Sequence, residues 1–147
     1  MKVTGSLLEL MVADVAASVN FYVEVLDFSV IAEESEHGKI YWALTDLHDF
    51  RIAFKEQHHL LAEVPYLKGK PIGGSTAICF QVDDLEGFYE QVKSRCELLD
   101  HPHITACGAK AFSMLDNSGY VITIERFEWL YFYNRLGNFN LFYCLVN

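Results

Sequence analysis

The residues able to do chemistry in this chain fall into three sets. Histidines pair at His58-His59 and at His101-Pro-His103. Histidines two apart on a strand share a face and could supply two corners of a metal site. Neither pair has a cysteine or carboxylate at ligand spacing, and both sit in loop-like sequence, so solvated side chains are expected. The cysteines Cys79, Cys96, Cys107 and Cys144 include no CxxC, and two lie in periodic apolar segments that read as core. Reduced structural thiols follow, with Cys79 a buried, inert thiol because no histidine is fixed beside it by sequence. The third set comprises Glu9, Arg51, Lys55 and Glu125 in strand-like segments, groups that acid–base work or ligand binding would use.

Strands and helices must place those side chains. Leu7 to Val12 is an apolar run of strand length, and Asp14 can cap a helix whose apolar face is Val15, Val19, Tyr22, Val23 and Leu26. Residues 28–33, 40–45 and 50–56 read as strands, the last two joined by a turn-like stretch from Asp46 to Asp49. Residues 58–74, ending Lys68-Gly-Lys-Pro-Ile-Gly-Gly74, have linker chemistry. The order then restarts with a strand over 76–82, a helix from Asp84 with Leu85, Phe88, Tyr89 and Val92 inward, and strands near 103–106, 110–115 and 120–126. Letters repeat with the pattern: Val12-Ala-Asp14-Val15 answers Val82-Asp-Asp84-Leu85, and Phe21-Tyr22 answers Phe88-Tyr89. The spacing differs by three residues, close to one helical turn, so the aromatic pair keeps its face. The fold class is therefore α+β, two tandem βαβββ modules. One domain spans 1–126, with modules at 1–57 and 75–126 and an aromatic extension at 127–147.

With 147 residues, 52% apolar and 14% aromatic, the chain has the material for one core of ordinary size and is too apolar to be disordered. Twenty acidic residues against 11 basic give a formal charge of -9 with no basic run. That excludes the electrostatic footprint of a nucleic-acid binder and suits neutral or cationic small partners. No basic-plus-apolar leader precedes the first strand and no run of about 18 apolar residues occurs. Neither export nor membrane spanning is expected, and a reducing cytoplasm is.

Three stretches carry a resemblance to a known superfamily. They are Leu10-Met-Val-Ala-Asp-Val-Ala-Ala-Ser-Val-Asn-Phe-Tyr-Val-Glu-Val-Leu-Asp-Phe28, Phe80-Gln-Val-Asp-Asp-Leu85, and Phe112-Ser-Met-Leu-Asp-Asn-Ser-Gly-Tyr-Val-Ile-Thr-Ile-Glu125. With the duplication, residues 6–126 resemble the vicinal oxygen chelate superfamily, which includes lactoylglutathione lyase (glyoxalase), extradiol dioxygenases, methylmalonyl-CoA epimerase, and the bleomycin and fosfomycin resistance proteins. The resemblance implies a curved, U-shaped mixed sheet with helices on its convex side and a ligand cleft in its hollow. The first motif usually ends Leu-Gly-Phe; Asp27 replaces that glycine here and should tolerate the turn. Metal-binding members take one ligand from the first and one from the last strand of each half, places that correspond to Leu7, Ala53, Ala77 and Thr123. Leucine and alanine have no lone pair, so no metal and no cofactor are expected. A two-residue shift keeps the strand face and brings in Glu9, Cys79, Lys55 or Arg51, and Glu125, a poor cage. Without the ion that polarises substrate oxygens in the lyases, isomerases and dioxygenases, the chain looks most like the bleomycin resistance proteins, which bind a drug without altering it.

The function expected from this resemblance is sequestration of a small molecule, for which the negative charge suits a cation, with no catalytic residue. The alternative is a glyoxalase-type lyase or isomerase, or a dioxygenase, with an atypical site; Glu9 or Glu125 would then do acid–base work. The candidate ligand set is Leu7, Glu9, Trp42, Arg51, Ala53, Ala77, Cys79, Thr123 and Glu125. It lies opposite Ile52, Phe54, Ile78, Phe80, Ile122 and Ile124, which should face the helices. The bland alternative is that this face packs against a loop or the tail. Trp42 and Tyr41 alternate, so one faces the cleft and the other packs under a helix, as register decides. Residues 127–147 hold eight aromatics and few charges. They must cover the cleft, the sheet or a partner subunit, unless they are a cloning or frame artefact, and a homodimer is the expectation.

Overall fold

The Asp14 carboxylate accepts from the Ala17 N–H at 3.0 Å and opens α1, Val15–Leu26, as the capping pattern predicts. A computed structural model describes residues 2–127. α1 closes on Asp27, held left-handed at φ 59, with the Phe28 N–H on the Tyr22 carbonyl at 3.1 Å. Aspartate makes the turn for which the resembled motif uses glycine, because its short polar side chain tolerates that region.

β1 (Leu8–Val12) precedes α1, and β2 (Ser29–Glu36), β3 (Lys39–Leu47) and β4 (Phe50–Glu56) follow it. β1 runs parallel to β4 while β2 and β3 add antiparallel, in the order β1-β4-β3-β2. The segment expected to be linker instead begins with α2 (Gln57–Glu63) and a 3-10 turn at Pro65–Leu67. The Glu56 carboxylate caps α2 from the His58 and His59 N–H groups. A seven-residue helix with Leu60 as its buried residue shows no readable period.

The second half comprises β5 (Ala77–Gln81), α3 (Leu85–Val92), β6 (Glu97–Leu98), β7 (His103–Ile104), β8 (Ala109–Leu115) and β9 (Val121–Phe127). Its order is β5-β9-β8-β6, with β7 also paired to β8. The α+β class and the repeated topology hold. The strands form two mixed sheets, one from each half, as two βαβββ modules should.

Side chains join the halves. Ile52, Phe54, Ile78, Ile122 and Ile124 are buried, as their shared parity predicts, in one core cluster with Val15, Val19 and Leu85 from the helices. The Tyr22 ring lies 4.7 Å from Phe54 and 5.4 Å from Phe28, and Phe28 lies 6.0 Å from Phe80 of the other sheet. Polar contacts seal the seam: Tyr22 donates to Asp116 Oδ2 at 3.2 Å, Tyr120 donates to the Met11 carbonyl at 2.9 Å, and the Ser18 and Ser118 hydroxyls meet at 3.1 Å.

Candidate ligand-binding faces

Register sorts the candidate residues onto two faces. On the first sheet Glu9 lies beside Ala53, Ala53 beside Leu44, and Trp42 beside Lys55 and Glu34, with Arg51 opposite Asp46 at one end. All lie opposite the buried Ile52 and Phe54. Glu9 and Arg51 are exposed, Trp42 is half-buried and Ala53 is buried. Trp42 therefore belongs to this face. Tyr41 has the parity of the buried Ala43 and Thr45, and it stacks on His59 rather than lying under α1.

On the second sheet Ala77 is in register with Val121, Cys79 with Thr123 and Gln81 with Glu125. Thr123 continues to Ser113, their hydroxyls 3.2 Å apart, and Gln81 Nε2 donates to Glu125 Oε1 at 3.2 Å. Ala77, Cys79 and Gln81 are exposed; Thr123 and Glu125 are half-buried. Leu7, expected to begin the first strand, belongs to neither row. It is 52% exposed and stops short of β1, whose pairing with β4 begins at Leu8 opposite Ile52. Its apolar side chain extends the run, but the backbone pairing does not reach it.

The faces also hold residues outside the candidate set. Lys55 is buried to 8% exposure with Nζ 2.6 Å from Glu63 Oε1, so α2 supplies the counter-charge of a cation set beside Trp42. Asp46, in the turn-like stretch of the sequence, continues the alternation of Leu44 and Trp42 on β3. The same alternation along β8 would have found Ser113.

Cys79 and Cys107 are exposed and Cys96 is half-buried, so Cys79 is not the buried thiol expected. Its outward parity with Ala77 and Gln81 is the reason. Desolvation, and then the neighbouring Glu125 carboxylate, push its thiol up to about 11, which keeps it protonated near neutrality. Cys107 is held below the usual thiol range by its hydrogen bond with the Thr105 hydroxyl at 3.1 Å.

The histidines do not sit free in loops. His58 and His59 lie on α2; His59 Nδ1 is 3.0 Å from Glu56 Oε2 and Nε2 is 3.5 Å from Glu36 Oε2, and its ring is 4.3 Å from Tyr41. Carboxylates do flank this pair, at a spacing that shows only once the helix is known. A depression of about 180 Å³ lies among Glu36, Lys39, Tyr41, Glu56, His58 and His59. Its charges pair with one another, Lys39 with Glu56 at 3.7 Å. His101 meets the Tyr89 hydroxyl at 2.7 Å, and His103 Nδ1 lies 2.9 Å from the His101 carbonyl.

The strand order and the duplicated βαβββ pattern agree with the comparisons. The Glyoxalase/Bleomycin resistance protein/Dioxygenase superfamily matches residues 6–124. The chain belongs to that superfamily. Solved structures share its fold. A glyoxalase/bleomycin resistance protein/dioxygenase from Nocardioides is 17% identical with a TM-score of 0.72, covering 86% of this chain and 85% of its own. TnmS3, an antibiotic binding protein from Streptomyces sp. CB03234, is 19% identical with a TM-score of 0.67, covering 87% and 99%. TioX from Micromonospora sp. ML1 is 16% identical with a TM-score of 0.65, covering 86% and 100%. No curated protein matches the chain.

For the superfamily's metal-binding arrangement, the donor set does not fit. Leu7, Ala53, Ala77 and Thr123 offer hydrocarbon and one hydroxyl, where a divalent ion needs imidazole, carboxylate or thiolate. Among the described residues no three histidine, cysteine or acidic side chains are grouped so as to hold an ion.

Proposed function

We propose that the chain binds a small molecule without transforming it, on the outer faces of its two sheets, and that a second copy of the chain completes the site. The carrying observation is a division between faces. The contacts that join the halves, Phe80 with Phe28 and Phe50 and Tyr22 with Asp116, use the inner faces. On the outer ones Glu9 and Arg51 stay exposed on the first sheet with the half-buried Trp42, and Cys79 and Gln81 stay exposed on the second. An apolar shelf with a few charged handles is how ligand sites are lined, and a partner surface would supply the missing wall.

The donor-poor strand positions favour binding over metal-assisted catalysis. The antibiotic-binding description of TnmS3 supports the same use of this fold. A formal charge of -9 favours a cationic ligand, and exposed free thiols fit a reducing cytoplasm. On this reading residues 1–126 work as one domain with modules at 1–57 and 75–126.

Titrating Trp42 fluorescence with a panel of cationic antibiotics tests the proposal. Saturable quenching that Trp42→Phe abolishes is the expected result. Silence across the panel from folded protein would contradict it.

A further inference from the structure

Lys55 is the one buried cation among the described residues. Its side chain is 11% exposed, whereas Lys39, Lys93 and Lys110, which also pair with carboxylates, are 64%, 46% and 30% exposed. The register sets Lys55 on the outer face of the first sheet between Met11 of β1 and Trp42 of β3. Met11 is buried and Trp42 half-buried, so the ammonium belongs to a largely apolar row. An ammonium taken out of water needs a counter-charge. Lys55 Nζ donates to Glu63 Oε1 at 2.6 Å, but the Glu63 side chain is 60% exposed, on the last residue of α2. That helix has seven residues and Leu60 as its buried side chain, so it is an element that local opening releases easily. The pair is therefore lopsided. Left alone, Lys55 loses its compensation, whereas Glu63 loses little by returning to water once another carboxylate takes its place.

We propose that Lys55 is an anion subsite of the ligand face, occupied by Glu63 in this structure and taken over by the carboxylate of an aromatic acid. The inference rests on the reading that this face binds a small molecule, and it adds what the ligand carries. Exchange of one carboxylate for another keeps Lys55 compensated, and Trp42 beside it supplies a flat apolar surface for the ring that bears the acid. A small inorganic anion would leave the indole uncovered, so the subsite selects ring and acid together. Glu9 is exposed on the same face, in register with Ala53 and two residues along from the Met11–Lys55 pair. It is free to meet a cationic group on the same ligand, which reconciles a local ammonium with the formal charge of -9. Glu63 is thus a competitor built into the chain, and α2 sets how readily the face accepts an acid.

The test uses the full chain and a matched pair of probes, naphthoate and the neutral naphthamide, with binding read by calorimetry near neutral pH. Naphthoate should bind roughly tenfold more tightly than the amide or better, as a charge-assisted hydrogen bond provides. Lys55→Met, similar in length and uncharged, should remove that preference. Glu63→Gln should tighten naphthoate roughly threefold or more and leave the amide unchanged, because the competing carboxylate is gone. Equal binding of the probes, no binding of either, or an acid preference that survives Lys55→Met would overturn the inference. So would a folded Glu63→Gln protein that binds naphthoate no more tightly than the wild type. If Glu63→Gln does not fold, the wild-type comparison and Lys55→Met still decide. Cationic antibiotics that quench Trp42 while naphthoate fails to bind would remove the acid subsite and leave the broader ligand face standing.

Discussion

Asp116 is 6% exposed, and its carboxylate accepts from the Ser118 and Tyr120 N–H groups at 2.8 Å each and from Tyr22 at 3.2 Å. Desolvation lifts its pKa above the usual aspartate value, although those hydrogen bonds pull it down. With the folded-state pKa above the unfolded one, the protonated form favours the fold. That contribution is complete below about pH 3.9 and is lost as pH rises through the folded value. Asp116→Asn removes the titration. In urea unfolding from about pH 3 to about pH 7, the wild type should lose stability relative to the variant as pH rises, and the opposite slope would contradict this assignment. At this scale, alternation alone placed Glu9, Trp42, Arg51, Cys79 and Glu125 on outer faces. It missed on Leu7, because a strand ends where backbone pairing ends. It also misjudged the exposure of Cys79, because an apolar segment buries only one of its two parities.

Gly73 shows what holds the connection between the halves in place. Its φ is +75, and a Cβ there would sit 2.4 Å from the Gly119 carbonyl oxygen in the β8–β9 turn. Gly73→Ala should destabilise the protein by about 1–3 kcal/mol, combining left-handed strain with that clash. Thermal unfolding reads this as a fall of several degrees, roughly 3 °C or more; an unchanged midpoint would show that the turn can move aside. α1 and α3 were legible because Asp14 and Asp84 cap apolar stripes long enough to show a period. α2 was not, since its capping residue is a glutamate at the end of a strand and Leu60 is its one buried side chain. β6 and β7 have two residues each, too few for any alternation to appear, and β6 went unread.

For the whole molecule, the duplicated βαβββ order was written in the repeated letters, whereas the side-chain contacts that join the halves, such as Phe28 with Phe80, were not, because they pair residues distant in sequence. The aromatic extension lies outside the described residues apart from Phe127, and its composition still argues that it covers a surface. A homodimer closed by that extension predicts that a chain ending at Phe127 scatters light as a monomer or loses solubility. Unchanged mass and solubility would remove the extension from the interface. Hydrocarbon and a hydroxyl stand where the superfamily resemblance places metal donors, and metal analysis of the full chain, purified without chelator, reads whether an ion is held there. Sequestration without a metal predicts no stoichiometric transition ion. One zinc, nickel, iron or manganese per chain, lost on Thr123→Val, would contradict it and make the protein a catalyst.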